Sequence, residues 1–209
     1  MTSPHFAITI SHQVGSGAAY IGQKLSEKLK IPCFDREILK TVADQLNIAE
    51  HSLAHREERL TSVWQSLTHL ARFADPAECM ALDTYIPSDK ELFQLETETI
   101  LRIIEKTPAI FIGRCGAYTF RNQSNRLSIL THADITARIE RVHQLYCLSE
   151  DEARKYITRN DRERAAYVQA FTKQNWLNSE NYDLCLDTSR IGLDKSVEPT
   201  LECCQDKNI

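Results

Sequence analysis

Two spacings of apolar residues alternate along this chain. Dense runs of strand length fall at 6–11, 31–34, 108–113, 126–131 and 182–187. Between them the apolar positions recur with helical period. Ile21, Leu25 and Leu29 repeat every four residues with Ala18 and Gly22 beside them, a stripe suited to lie on a sheet. Ile38, Leu39, Val42 and Leu46 follow, then Trp64, Leu67, Leu70 and Phe73 inside a long polar stretch, 49–107, that holds no good strand. Pro76 and Pro87 break that stretch, and Ser88-x-x-Glu91 is a capping-box pattern for a helix running to about Lys106. Further helices are expected from about Asp134, carrying Arg138 and Arg141, from a second capping box at Ser149-x-x-Glu152, and around Val197 and Leu201. Strands alternating with helices predict an α/β fold on a parallel sheet, with ligands at the C-terminal strand ends. The run at 108–113 is apolar enough to be buried on both faces.

Those strand ends carry the candidate chemistry. The first run feeds Gly15-Ser16-Gly17, and a helical pattern starts at once. Strand, Gly-x-Gly turn and helix aim backbone N–H groups at one point, where the helix dipole adds positive charge. The full phosphate-loop pattern also carries a lysine and a hydroxyl after its last glycine. Here Gly17 is followed by Ala18, Ala19 and Tyr20. A phosphate cradle and an ordinary tight turn both remain open on these residues. Asp35 and Arg36 follow the second run, and Gly113 and Arg114 end the third. Lys155, Arg159 and Arg162 fall at i, i+4 and i+7, on one helix face, while Asp161 and Glu163 between them also permit plain surface pairing. The cluster from His55 to Arg59 reads as a solvated helix face or as an insert that closes over a substrate.

Composition narrows the choice. A chain of 209 residues with 42% hydrophobic content supports one substantial core. Its net charge of −4 supplies no overall field for nucleic acid or anionic membrane, and the cations at 154–164 are interleaved with a single aromatic, Tyr156, a poor platform for base stacking. The apolar run at 109–113 is far too short to span a bilayer, and the N-terminus lacks a signal pattern, so a cytoplasmic protein is expected. Seven cysteines without a C-x-x-C suggest neither a disulfide framework nor a zinc site.

Several of these pieces resemble one family in order and spacing from about Ile8 to Leu201. They are a strand feeding Ser-x-Gln-x-Gly-Ser-Gly, then Ile-Pro-x-Phe-Asp-Arg-Glu-Ile, Glu-Leu-Phe, a strand ending Gly-Arg-Cys, Arg-Asn-Asp-Arg-Glu-Arg and Asn-Tyr-Asp-Leu. The chain is similar to the cytidylate kinase-like family of P-loop nucleoside monophosphate kinases. The resemblance implies a P-loop NTPase three-layer sandwich: a five-stranded parallel core at about 6–36 and 108–204, a helical monophosphate-binding insert at about 37–107 and an arginine lid at about 149–172. It implies transfer of the ATP γ-phosphoryl group to CMP or dCMP with Mg²⁺, and small-molecule nucleotides as partners. His12, Gly15, Ser16 and Gly17, with the N–H groups of Ala18, Ala19 and Tyr20, would hold the donor phosphates. Asp35, Arg36 and Arg114 would face the acceptor, whose monophosphate suits the Arg114 fork. Arg159, Arg162 and Arg164 would close over the transferring group as catalytic cations.

The chain departs from the family pattern at His12, where the family commonly has arginine, at Ala18, where it has a third glycine, and at Ala117, where it often has an acid. With no loop lysine and no loop hydroxyl for Mg²⁺, Asp35 is the best nearby carboxylate for the ion, although capping the next helix would explain it equally. The rival expectation is a catalytically weak or inactive relative that binds a nucleotide or phosphate as a regulatory module.

Overall fold

A computed structural model of the chain describes residues 5–35, 89–113 and 115–206. Strands β1 (Ala7–His12), β2 (Cys33–Phe34), β3 (Ala109–Ile112), β4 (Arg126–His132) and β5 (Leu184–Asp187) form one sheet in the order β2-β3-β1-β4-β5. Every pairing is parallel, with Ile8 beside Ile110 on one side and beside Leu127 on the other. All five expected strands are present. The expected helices at 36–48 and through most of 49–88, including the His55–Arg59 cluster and Ser88, lie outside the described residues.

Strand alternation divides the core into two layers. Ile8 and Ile10 point to one face, where they meet Ile110, Leu127, Ile129 and the stripe Ala18, Ile21 and Leu25 of α1 (Ala18–Leu29). Ala7 and Phe111 point to the other, against Ile100, Ile103 and Ile104 of α2 (Asp89–Ile104) and against Phe120. Phe120 follows α3 (Gly116–Thr119), a short helix that the apolar spacing did not reveal. Each fully buried aliphatic side chain in these layers contributes about 1.5–3 kcal/mol of transfer free energy. This double covering is why β3 reads as an unbroken apolar run and why Thr9 and Ser11 of β1 are buried beside its isoleucines.

A helix pair stands beside the sheet. Helix α4 (Ile135–Tyr146) and α5 (Glu150–Thr172) bury Ile139, Val142, Ala153 and Ile157 between them, and Val14 packs against the same cluster. Helix α5 opens at the expected capping box: Ser149 accepts from the Glu152 N–H, and Glu152 accepts from the Ser149 N–H at 2.9 Å. Its far end packs Tyr167, Val168 and Phe171 against Cys115, Trp176 and Phe93, with the Phe93 and Phe171 rings stacked at 4.9 Å. The chain closes through α6 (Thr188–Ile191), a 3₁₀ turn at Asp194–Ser196, and α7 (Val197–Asp206). No helix among the described residues is long and apolar enough to cross a membrane.

Cys33 illustrates how closely α1 covers β2. Burial pushes its thiol up from 9.0 to about 12, with Asp35 adding to the shift. Folding therefore favours the protonated thiol. That contribution is present below pH 9.0 and lost as pH rises through about 12. In the native protein at about pH 8, iodoacetamide should label the exposed Cys147 and spare Cys33, as read by peptide mass spectrometry. Equal labelling of the two would contradict this burial.

Candidate functional site

Strand β1 lies between β3 and β4, and the chain leaves it toward β2 on one side while β3 is followed by β4 on the other. Such a switch point opens a crevice at the C-terminal end of β1, where ligands of open α/β sheets bind. The turn at 13–17 fills that position. It closes on itself through the Ser16 N–H, which donates to the Gln13 carbonyl at 3.1 Å. Gly15 (φ 80°) and Gly17 (φ 84°) both adopt the left-handed conformation that glycine alone enters without strain.

The carbonyls of this turn are tied back into the protein. Arg164 donates to the His12 carbonyl, Arg138 Nε to that of Val14 at 2.7 Å, and Arg141 Nη1 to that of Gly15 at 3.1 Å. The Thr188 hydroxyl donates to the Ser16 carbonyl at 2.8 Å. In a trans peptide the N–H opposes the C=O. Holding the Val14 and Ser16 carbonyls on the α4 and β5 side therefore turns the N–H groups of Gly15 and Gly17 the other way. Helix α1 begins there with Gly17 as N-cap, no side-chain cap and no acid in its first turn. The result is a short row of amides at a bare helix N-terminus, backed by three guanidinium groups. That arrangement favours an anion.

The individual side chains are used unevenly. The Ser16 hydroxyl is fully buried on the Thr131 hydroxyl at 2.8 Å, so Ser16 serves the turn itself. Tyr20 donates its hydroxyl to Asp194, which raises the tyrosine pKa above its ordinary value. Ala18 is buried and Ala19 exposed, and neither can replace the lysine. Asp35 sits at the end of β2, separated from β1 by the whole of β3. Arg36 and Arg114 lie outside the described residues. Among the described residues, no three His, Cys, Asp or Glu side chains gather to hold a metal ion. With Ser16 and Tyr20 both engaged, these donors do not fit a protein-held Mg²⁺.

Helix α5 divides its charges between two faces. Asp161 and Arg164 point inward, to Val14 and His12. Arg159 and Arg162 point elsewhere, lining a groove of about 400 Å³ with Arg154, Lys155 and Thr158. Glu163 lies 4.0 Å from Arg159, and both members of that pair are exposed. The three expected lid arginines are thus not equivalent: Arg164 props the turn, and the other two face the groove.

Sequence reasoning missed Arg138, Arg141, Asp161, Thr131 and Thr188. Arg138 and Arg141 at i, i+3 on the helix after β4 were a usable signal, since two arginines near the sheet's ligand edge suit loop carbonyls or anions. Thr131 and Thr188 carried no signal beyond standing at strand ends.

The fold is similar to solved structures of low sequence identity. An uncharacterized protein from Eubacterium ventriosum ATCC 27560 superposes with a TM-score of 0.71 at 18% identity, covering 96% of this chain and 99% of that one. A gluconokinase from Sinorhizobium meliloti 1021 superposes with a TM-score of 0.50 at 10% identity, covering 98% and 97%. No curated protein matches the chain. The cytidylate kinase-like family matches residues 7–190, the span that includes β1, the glycine turn, the α4–α5 pair and β5, and the chain belongs to that family.

Proposed function

We propose that this protein is a nucleotide-binding kinase that transfers the ATP γ-phosphoryl group to CMP, dCMP or a related small acceptor. The observation that carries the reading is the turn at 13–17, whose carbonyls are held by Arg138, Arg141, Arg164 and Thr188, which turns the amides of Gly15 and Gly17 away from those side chains. The amides of Gly15, Gly17, Ala18 and Ala19 bind donor phosphates. The cations of the α5 groove, above all Arg159 and Arg162, stabilise the charge that spreads over the transferring group. Arg36 and Arg114 hold the acceptor monophosphate, Arg114 through its two-pronged fork. The acceptor-binding insert falls within residues 37–107, ahead of the part of α2 that packs on the sheet, and the lid within 149–172. Mg²⁺ accompanies ATP in such reactions and neutralises phosphate charge, and no step here is assigned to a protein-held ion.

One specific observation favours a second reading, a nucleotide-binding regulatory module: neither Ala18 nor Ala19 offers the ammonium or hydroxyl used in a full phosphate loop. A single experiment separates the two. The protein is incubated with radiolabelled ATP, Mg²⁺ and a panel of nucleoside monophosphates, and products are resolved by chromatography. Label on CMP or dCMP supports the kinase. ATP binding with no label on any acceptor supports the regulatory module. Within the kinase reading, Arg114→Lys should raise the acceptor KM by tenfold or more while leaving ATP affinity alone, because lysine keeps the charge and loses the bidentate geometry. An unchanged KM would assign Arg114 to structure.

A further inference from the structure

Two inward side chains of α5, three residues apart on one helix face, tie that helix to the turn. Asp161 Oδ1 accepts from the Val14 N–H at 3.0 Å, and Arg164 donates to the His12 carbonyl. Asp161 also joins α5 to α4: its Oδ2 pairs with Arg138 Nη2, while Arg138 Nε donates to the Val14 carbonyl at 2.7 Å. The Arg138 and Asp161 side chains are 6% and 20% exposed, so this junction of α4, α5 and the turn is shielded from water. It stands behind the turn, on the side of the Val14 carbonyl, and does not meet a phosphate resting on the glycine amides.

The carboxylate is not needed to shape the turn, whose carbonyls Arg138, Arg141, Arg164 and Thr188 hold without it. What it fixes is α5. The apolar contacts of this helix, through Ala153 and Ile157 toward α4 and through Tyr167 and Val168 farther on, are not directional and tolerate small rotations about its axis. One bond to the turn, from Arg164, would leave a pivot, and the second, from Asp161, sets the rotation. Arg162 follows Asp161 directly, about 100° around the helix and about 1.5 Å along it, so a cation of the groove inherits the setting of Asp161. Rotating α5 by roughly 10° moves a group at the helix rim, about 6 Å from the axis, by about 1 Å. A displacement of that size can cost about 10²-fold in rate.

We propose that Asp161 is a positioning residue for phosphoryl transfer: by registering α5 on the turn and on Arg138, it holds Arg162 where the transferring group develops its charge. The inference rests on the kinase reading and on the place given there to the groove cations. Asp161 itself touches neither nucleotide nor acceptor. Its buried pair with Arg138 selects one arrangement of α4, α5 and the turn rather than adding net stability. The cations of the groove are thereby aimed by a carboxylate on the opposite side of the turn from the phosphates.

The test is a double-mutant cycle on kcat, with ATP affinity measured calorimetrically, for the wild type, Asp161→Asn, Arg162→Ala and the double variant. The asparagine keeps one oxygen, and whichever partner it serves, its NH₂ faces the other donor, so one of the two links is lost. Asp161→Asn should lower kcat about 30-fold while ATP affinity changes less than about threefold. In the double variant kcat should fall less than about threefold below that of Arg162→Ala, because the cation that Asp161 aims is already gone. Effects that multiply in the double variant overturn the proposal, since a merely structural Asp161 would act independently of Arg162. A fall in ATP affinity that matches the fall in kcat also overturns it, by assigning Asp161 to the turn. Should the asparagine variant not fold, Asp161→Glu serves the same cycle: it keeps the charge for Arg138 and lengthens the link to Val14 by one methylene. Failure of both variants to fold would assign Asp161 to the fold alone and overturn the proposal. Absence of phosphoryl transfer in the wild type overturns the kinase reading, and this proposal with it.

Discussion

Gly15→Ala should reduce ATP affinity by more than 100-fold in a protein that still folds. At φ 80° an alanine occupies a conformation that L side chains avoid. Its Cβ would lie 2.8 Å from the Arg138 carbonyl oxygen and 3.1 Å from the Arg138 Cα. Those are backbone atoms of α4, packed through Ile139 and Val142 against α5, so they cannot step aside cheaply. The turn must open instead. Opening it separates the Val14 and Gly15 carbonyls from Arg138 and Arg141 and misaims the amides that oppose them. Gly17→Ala makes the contrast: its Cβ would meet Leu193 Cδ2 at 2.2 Å, the end of a side chain that can rotate. Gly17→Ala should therefore be milder, and Gly17→Val, branched at Cβ, severe. Calorimetry with ATP on all three variants, each first shown to be folded by circular dichroism, checks the order. Wild-type affinity in Gly15→Ala would remove the turn from the phosphate site.

The second large effect concerns α5. If the groove cations act on the transferring group, Arg162→Ala should lower kcat by about 10³-fold with little change in ATP affinity, because charge stabilisation is felt most in the transition state. Arg159→Ala should behave in the same way. Arg164→Ala should not. Its guanidinium is bound to the His12 carbonyl and lies 5.7 Å from the Trp176 ring, so removing it loosens the turn and weakens ATP binding as well as turnover. Steady-state kinetics with ATP varied at saturating acceptor separates the two behaviours. A common effect on all three arginines would mean that the division of the α5 faces has no functional meaning.

The sheet's centre was legible because β1, β3 and β4 are buried on both faces, and its edge because β5 alternates apolar and polar positions. Ile8, Ile10, Ile110 and Ile129 needed no further signal. The α5 start was legible because a capping box is a local device: Ser149 and Glu152 satisfy each other across three residues. The glycine turn was legible as a shape, since strand, Gly15-x-Gly17 and helix follow without a gap. What backs it was not. Arg138, Arg141, Asp161, Arg164 and Thr188 reach the turn across separations of 124, 126, 147, 152 and 172 residues. No window of spacing shows which arginine of Arg159, Arg162 and Arg164 turns inward, because that depends on which face of α5 meets the end of β1. Asp161 looked like one more surface acid between cations for the same reason. The short helices at 116–119 and 188–191 were missed because four residues show no helical period.

The proposed phosphate loop works through backbone amides and borrowed arginines without its own lysine. Isothermal titration of ATP into the wild-type protein tests that claim most directly. Saturable binding of one ATP per chain with micromolar affinity, competed by tripolyphosphate, is the expected result. No heat of binding at millimolar ATP would contradict it.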